Sequence, residues 1–216
     1  MRPLPSSEMC NTIRHGDCVK LMRRMETASV DFVLTDPPYL CRYRDRAGRT
    51  VRNDDNGRWL VPAFAEMHRL LKPDSFCVSF YGWHVADQFF EAWRAAGFRI
   101  AGHIVFPKPY SSSVRFLQHR HEQAYLLAKG DPQTASEAIS DVLGWSYSGN
   151  RLHPTQKPVE ALRPLVRALC PAGGLVLDPF CGSGSSLVAA KAEGRAFLGI
   201  ELDFRYWQTA RRRLLP

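Results

Sequence analysis

The chain lacks the features that would place it in a membrane, a secretory compartment or a zinc fold. No apolar run approaches the roughly 20 residues that span a bilayer, and the opening Met1-Arg2-Pro3-Leu4-Pro5 has no apolar core of a signal peptide. The six cysteines, at positions 10, 18, 41, 77, 170 and 181, form no C-x-x-C pair and no zinc-ligand spacing. That usage suits reduced thiols in a cytosolic protein, so a soluble, cytoplasmic chain without a metal site is expected. Two loop signatures are also missing: the Gly-Lys-Ser/Thr ending of a phosphate loop and the Gly-x-Gly-x-x-Gly of dinucleotide binders.

What is present suits one domain. At 216 residues the chain is long enough for a full core, and residues 1–216 are read as a single catalytic unit. Lys plus Arg number 29 against 21 Asp plus Glu, a net charge of +8 that favours a polyanionic partner without identifying one. Apolar periodicity alternates strand and helix. Strands are predicted over Thr12–His15, Val30–Thr35, Ser75–Tyr81, Phe98–Phe106, Glu122–Ala128, Leu175–Leu177 and Ala196–Ile200. Helices are predicted over Val19–Glu26, Arg58–Leu71, Val85–Ala96, Val159–Leu169 with a kink at Pro164, Leu187–Ala192, and onward from Asp203. Phe98–Phe106 and Glu122–Ala128 leave no room for an intervening helix, so they should pair antiparallel. The expected fold is α/β: a doubly wound, mostly parallel seven-stranded sheet with one antiparallel strand.

Two strand ends carry chemistry. The apolar run Val30–Thr35 delivers Asp36-Pro37-Pro38-Tyr39 at its carboxyl end. The Asp36 carboxylate and Pro37 carbonyl are acceptors able to hold both protons of an exocyclic amine and draw its nitrogen towards tetrahedral geometry. Consecutive prolines stiffen the turn and add no competing N–H, and Tyr39 offers a face on which a flipped-out base can stack. Alone, such a tetrapeptide reads more readily as a strand ending in a Pro-rich turn. Further along, Leu175-Val176-Leu177 runs into Asp178-Pro179-Phe180-Cys181-Gly182-Ser183-Gly184-Ser185-Ser186 and a small-residue helix. Strand, Gly-rich turn and helix in that order let backbone approach a ligand closely. Glu201, at the end of the next strand, is placed to take both hydroxyls of a ribose, although it could instead cap the last helix, a role Asp203 fills better.

In this order the motifs resemble the β group of S-adenosylmethionine-dependent DNA amino-methyltransferases. Asp36–Tyr39 matches the family's catalytic motif, Asp178–Gly184 its cofactor motif, His153-Pro154-Thr155-Gln156-Lys157-Pro158 the stretch leading into the helix before the cofactor strand, and Gly16-Asp17-Cys18 a short acidic motif near the start. The resemblance implies a circularly permuted Rossmann-like methyltransferase fold, S-adenosylmethionine as cofactor, double-stranded DNA as substrate and a homodimer. It implies Asp36, Pro37, Pro38 and Tyr39 as catalytic residues. Asp17, Asp36, Thr155, Lys157, Asp178, Phe180, Gly182, Ser183, Gly184, Ser185 and Glu201 are the implied cofactor residues. Within the family Asp at the first motif position goes with N6 of adenine and Ser with N4 of cytosine, so Asp36 points to adenine. Methylation of an RNA base or a protein amide, performed by related folds with Asn-Pro-Pro-Tyr, fits less well. A non-catalytic DNA-binding module fits least, because both motif sets are intact.

Substrate should be met on irregular segments. Residues 40–57 carry Arg42, Arg44, Arg46, Arg49 and Arg52 around Tyr43 and are expected to form a mobile, DNA-contacting loop; residues 129–150 are a second such candidate. Lys108, where the family often has a Trp-x-Lys, is expected near the DNA. With so little chain for base readout, a short or degenerate recognition sequence is expected.

Overall fold

The computed structural model describes residues 8–45, 47–112, 116–133 and 138–214. The elements run β1 (Thr12–His15), α1 (Cys18–Met22), β2 (Val30–Thr35), α2 (Leu60–Leu70), β3 (Leu71–Phe80), α3 (Ala86–Ala95), β4 (Arg99–Pro107) and β5 (His121–Lys129). They continue with α4 (Val159–Leu169), β6 (Leu175–Asp178), α5 (Ser185–Ala192), β7 (Ala196–Glu201) and α6 (Phe204–Leu214). One seven-stranded sheet forms in the order β1-β7-β6-β2-β3-β5-β4. Only β5 runs against its neighbours, pairing antiparallel with both β3 and β4.

Side chains of the central strands alternate between two apolar layers, as the two-residue period of a strand requires. Val33, Leu175, Leu177, Leu198 and Ile200 join the layer under α1, α2 and α3. Phe32, Leu34, Val176 and Phe197 join the layer under α4, α5 and α6. Burial on both faces is why these strands read as near-continuous apolar runs. On α2, Leu60, Ala63, Phe64, Met67 and Leu70 are buried, the stripe expected of a helix packed on a sheet.

Boundaries differ from expectation where tertiary contacts intervene. Helix α1 stops at Met22, not Glu26. The chain tightens there into Arg24 N to Leu21 O (3.1 Å) and Met25 N to Met22 O (2.9 Å) turns. The Arg69 guanidinium takes the freed carbonyls of Met22 (2.7 Å) and Met25 (3.0 Å). Strand β3 starts at Leu71, four residues before the predicted Ser75, and contains Pro73. The pairing with β2 slips between Val30 and Phe32, and Lys72, Pro73 and Asp74 are exposed. Irregularities of that kind tolerate a proline in a strand. Helix α4 keeps Pro164 inside its span.

The parallel strands β7, β6, β2 and β3 end side by side, which brings Glu201, Asp178 and Asp36 to one edge of the sheet. Just beyond β3 the backbone passes against the Asp36–Tyr39 turn at Gly82, where an added Cβ would lie 2.4 Å from the Tyr39 carbonyl oxygen. Gly82→Ala must therefore push the turn aside. We expect a destabilisation of about 1–3 kcal/mol and a lower thermal midpoint. Gly144→Ala, with nothing within 4 Å of the new methyl, should leave the midpoint in place.

Candidate active site

Four charged side chains alternate in sign at the carboxyl end of β2. Asp36 follows β2. Its Oδ1 accepts from the Tyr39 hydroxyl at 2.9 Å and its Oδ2 from Lys157 Nζ at 2.9 Å. Lys157, on the segment ahead of α4, also donates to the Tyr39 hydroxyl oxygen at 3.1 Å. Its ammonium lies 4.9 Å from the Phe80 ring centroid and 5.1 Å from that of Tyr39. Beyond it, Glu122 of β5 stands 4.0 Å from Lys157 and 2.7 Å from Lys108, and Lys108 donates to Ser112 Oγ at 2.9 Å. Both lysine side chains are buried, at 7% and 2% exposure.

The electrostatics follow from that alternation. Burial raises the Asp36 carboxyl above its ordinary range, with Lys157 and Tyr39 pulling it partly back. Burial also works against the Lys157 ammonium, but Asp36 and Glu122 override it and hold the charge. Glu122 is likewise opposed by burial, and the two lysines bring it below the usual carboxylate range. Lys108 was expected on DNA; its ammonium is instead enclosed behind the catalytic turn, bound to Glu122. Glu122 itself escaped the sequence reading, because its strand places it opposite lysines far away in sequence.

The Gly-rich turn after β6 is held by two buried carboxylates. Asp178 Oδ1 accepts from Thr35 Oγ1 and from the Phe180 N–H, both at 3.0 Å, and Ser186 donates its hydroxyl to Oδ2. Burial pushes Asp178 up to about 7 against those donors. Asp178 therefore clamps the loop to the catalytic strand as well as lining a cavity. Glu201 receives the Gly182 N–H at 2.8 Å and the Asp203 N–H at 2.7 Å, and burial pushes it up to about 7 as well. The capping role goes to Asp203, which accepts from the Arg205 N–H at 2.9 Å. Gly184 lines neither cavity. It opens α5 at φ 83°, and an added Cβ would meet Leu214 of α6 at 3.0 Å, so the glycine serves helix packing.

Two cavities meet at Asp36. The larger, about 880 Å³ counted to its open mouth, is lined by Asp17, Tyr39 and Glu201 among others. Pro37 and Pro38 also border it. The smaller, about 430 Å³, is lined by Lys157, Asp178, Ser183 and Ser185. Asp36, Thr155, Phe180 and Gly182 border both. Together they form one cleft with Asp36 at the junction. Asp17 lines its cavity while capping α1 through Lys20 N at 2.9 Å.

His153 was not singled out by the sequence, yet it borders both cavities and meets the Tyr206 ring at 4.2 Å between centroids. Burial, with Lys157 and Arg49 nearby, brings it down to about 3. The imidazole is therefore neutral, and Nδ1 accepts from the Thr155 N–H at 3.3 Å.

The segment 40–57, expected to be mobile, is tied over the larger cavity. Buried Asp54 accepts from the N–H groups of Cys41 (3.3 Å) and Tyr43 (2.6 Å), and its own carbonyl from Arg42 N (3.0 Å). Arg49 binds Asp45 at 2.7 Å and the Asn150 carbonyl at 3.1 Å, and Arg52 stands 3.6 Å from Asp203. Arg42 and Arg44 are exposed and outside both cavities; Arg46 lies outside the described residues. Part of the segment 129–150 extends the β4 edge, with Leu143 N to Val105 O at 2.9 Å and Trp145 against Phe106 at 5.7 Å. Residues 134–137 are also outside the described residues.

Comparison with known proteins identifies the family. The model of a family described as DNA methylase matches residues 30–212. YubD of Escherichia coli (strain K12), which carries the name of a methylase, is 51% identical over 199 residues, covering 92% of this chain and 88% of YubD. Among solved structures, the M1.HpyAVI–SAM complex superposes with a TM-score of 0.76 at 23% identity, covering 95% of this chain and 99% of that one. PvuII DNA methyltransferase (cytosine-N4-specific) does so at 0.78 and 17% identity, covering 95% and 86%. At such identities these two likenesses speak for the fold. A match over most of the chain and a half-identical methylase place the chain in the N6/N4 family of DNA methyltransferases.

Proposed function

We propose that this chain transfers the methyl group of S-adenosylmethionine to N6 of an adenine flipped out of double-stranded DNA, in the cytoplasm. The observation that carries this reading is the Asp36 carboxylate, set where the two cavities join and held from both sides by Lys157 and Tyr39. S-adenosylmethionine, when bound, supplies a methyl carbon already activated by sulfonium charge, so the residues have only to aim and hold the partners. Glu201 would hold the ribose: each oxygen takes one backbone N–H and keeps lone pairs for a hydroxyl. Asp17 and Phe180 would border the adenine end, with Trp59 packed on Phe180 at 4.9 Å. Thr155, Ser183 and Ser185 would take the methionyl end in the smaller cavity.

The target amine meets Asp36 and the Pro37 carbonyl, which accept its two N–H groups and free the lone pair from conjugation. As nitrogen takes the methyl group it must shed a proton, and the nearest base is Asp36, whose proton affinity burial has raised. Tyr39 shares Oδ1 with the arriving amine and offers its ring for stacking. Arg42 and Arg44 are the exposed cations of the overlying loop that fit backbone phosphate. Asp36 at the first motif position favours adenine over N4 of cytosine, in keeping with the family pattern.

Nucleoside analysis of duplex DNA incubated with the protein and labelled cofactor tests the reading directly. N6-methyladenine is expected; N4-methylcytosine alone would reassign the base. Asp36→Ala should lower turnover by about 10²–10⁴-fold, with cofactor affinity changed far less, and retained turnover would sink the role given to Asp36.

The raised Glu201 sets a second expectation, for pH. Ribose hydroxyls donate to the ionised carboxylate, so binding favours the deprotonated form. Affinity for S-adenosylmethionine should be full above pH 7 and fall as pH drops below about 7, by up to about ten-fold per unit. Glu201→Gln should bind weakly at all pH values and lose that dependence. A calorimetric titration with parallel profiles for both proteins would remove Glu201 from the ribose.

A further inference from the structure

The surface beside the Asp36–Tyr39 turn carries an exposed tryptophan stacked on a half-buried histidine, a pair that the transfer chemistry does not use. The chain leaves β3, passes against Tyr39 at Gly82 and immediately presents Trp83, whose indole is 63% exposed. His119, just before β5, reaches the same ring. Lys108 N donates to the Arg120 carbonyl at 2.7 Å and Ser112 N to the His119 carbonyl at 2.9 Å. The same Lys108 reaches Glu122 behind the site. His119 stacks on Trp83 with ring centroids 5.7 Å apart and planes at 26°, and His84 meets the indole edge-on at 5.8 Å.

The exposed Trp83 ring offers a flat apolar face beside the proposed reaction centre, and such a face suits a flat ligand. Its surroundings choose the partner. His84, Arg120 and His121 are exposed basic groups around the pair, whereas Glu122 is bound to lysine and Asp87 lies on α3, past the turn. Flat rings beside cations suit nucleobases and their phosphates. When a target leaves the helix, the faces of its neighbours lose their stacking partner.

We propose that Trp83, backed by His119, stacks on the bases flanking the target. The inference rests on the reading of this chain as a DNA methyltransferase and adds the contact that holds the opened duplex at the mouth of the cleft. Stacking on any base face is tolerant of sequence, so the contact serves binding at every site the enzyme uses.

The test uses the full chain, a fluorescein-labelled duplex that the wild type methylates, and affinity measured over a range of salt. Trp83→Ala should weaken duplex binding by about ten-fold at each salt concentration. The slope of log affinity against log salt should not change, since no phosphate contact is lost. Trp83→Phe should recover most of the affinity, His119→Ala should lose a smaller part, and S-adenosylmethionine binding should be unaffected in all three. Undiminished duplex binding by Trp83→Ala overturns the proposal. So does a loss confined to low salt with a flatter slope, or a parallel fall in cofactor affinity. A wild type that neither binds nor methylates duplex DNA removes the proposed function and this contact together, whereas an active wild type with an unimpaired Trp83→Ala removes the contact alone.

Discussion

The Lys157 ammonium is where the catalytic turn, β5 and the segment ahead of α4 meet, and its burial obliges all three to stay together. An ammonium taken out of water loses several kcal/mol of solvation unless carboxylates replace the lost water. Asp36 at 2.9 Å and Glu122 at 4.0 Å do so, with the Tyr39 hydroxyl as a third partner. Removing either acid leaves an uncompensated charge, a change on the order of 3–5 kcal/mol for a buried pair. Glu122 divides its own charge between Lys157 and Lys108. Asp36 therefore shares Lys157 with a second acid and is not neutralised by it alone, which leaves it a usable acceptor.

A second constraint joins this cluster to the ligand cleft. Thr35, the last residue of β2, bonds to Asp178, the last residue of β6, so β2 and the Gly-rich turn share one carboxylate. The same carboxylate takes the Ser186 hydroxyl at the start of α5. Glu201 then pins the loop from the β7 side through the Gly182 N–H. Three neighbouring parallel strands thus fix the loop at their common edge, and the cavities open above it.

Much of this was legible in the residues, for physical reasons. Strands buried on both faces must be continuously apolar, so β2, β3, β6 and β7 stand out, and helices on a sheet must carry a stripe, as α2 does. Asp36, Asp178 and Glu201 were visible because each ends such a strand. What escaped depends on contacts between distant segments. Glu122 gains meaning only opposite Lys108 and Lys157, and His153 only against Tyr206 and Gly182. The Arg-rich loop read as mobile because its charges dominate its composition. One buried acid, Asp54, gathers its backbone N–H groups and folds it over the cleft. The helix ends moved for a similar reason: Arg69, on another helix, satisfies the carbonyls where α1 stops.

Tyr39 ties the Asp36–Lys157 pair to a flat ring. Its hydroxyl donates to Asp36 Oδ1 and accepts from Lys157, so one side chain answers to both. On the proposed reading, an amine reaching Asp36 would share Oδ1 with that hydroxyl, because a carboxylate oxygen has lone pairs for two donors. A flat heterocycle arriving there would also meet the face of the Tyr39 ring, whereas a free lysine side chain has no face to offer it. Discrimination would then fall on the shape of what carries the nitrogen, before any bond to it is made.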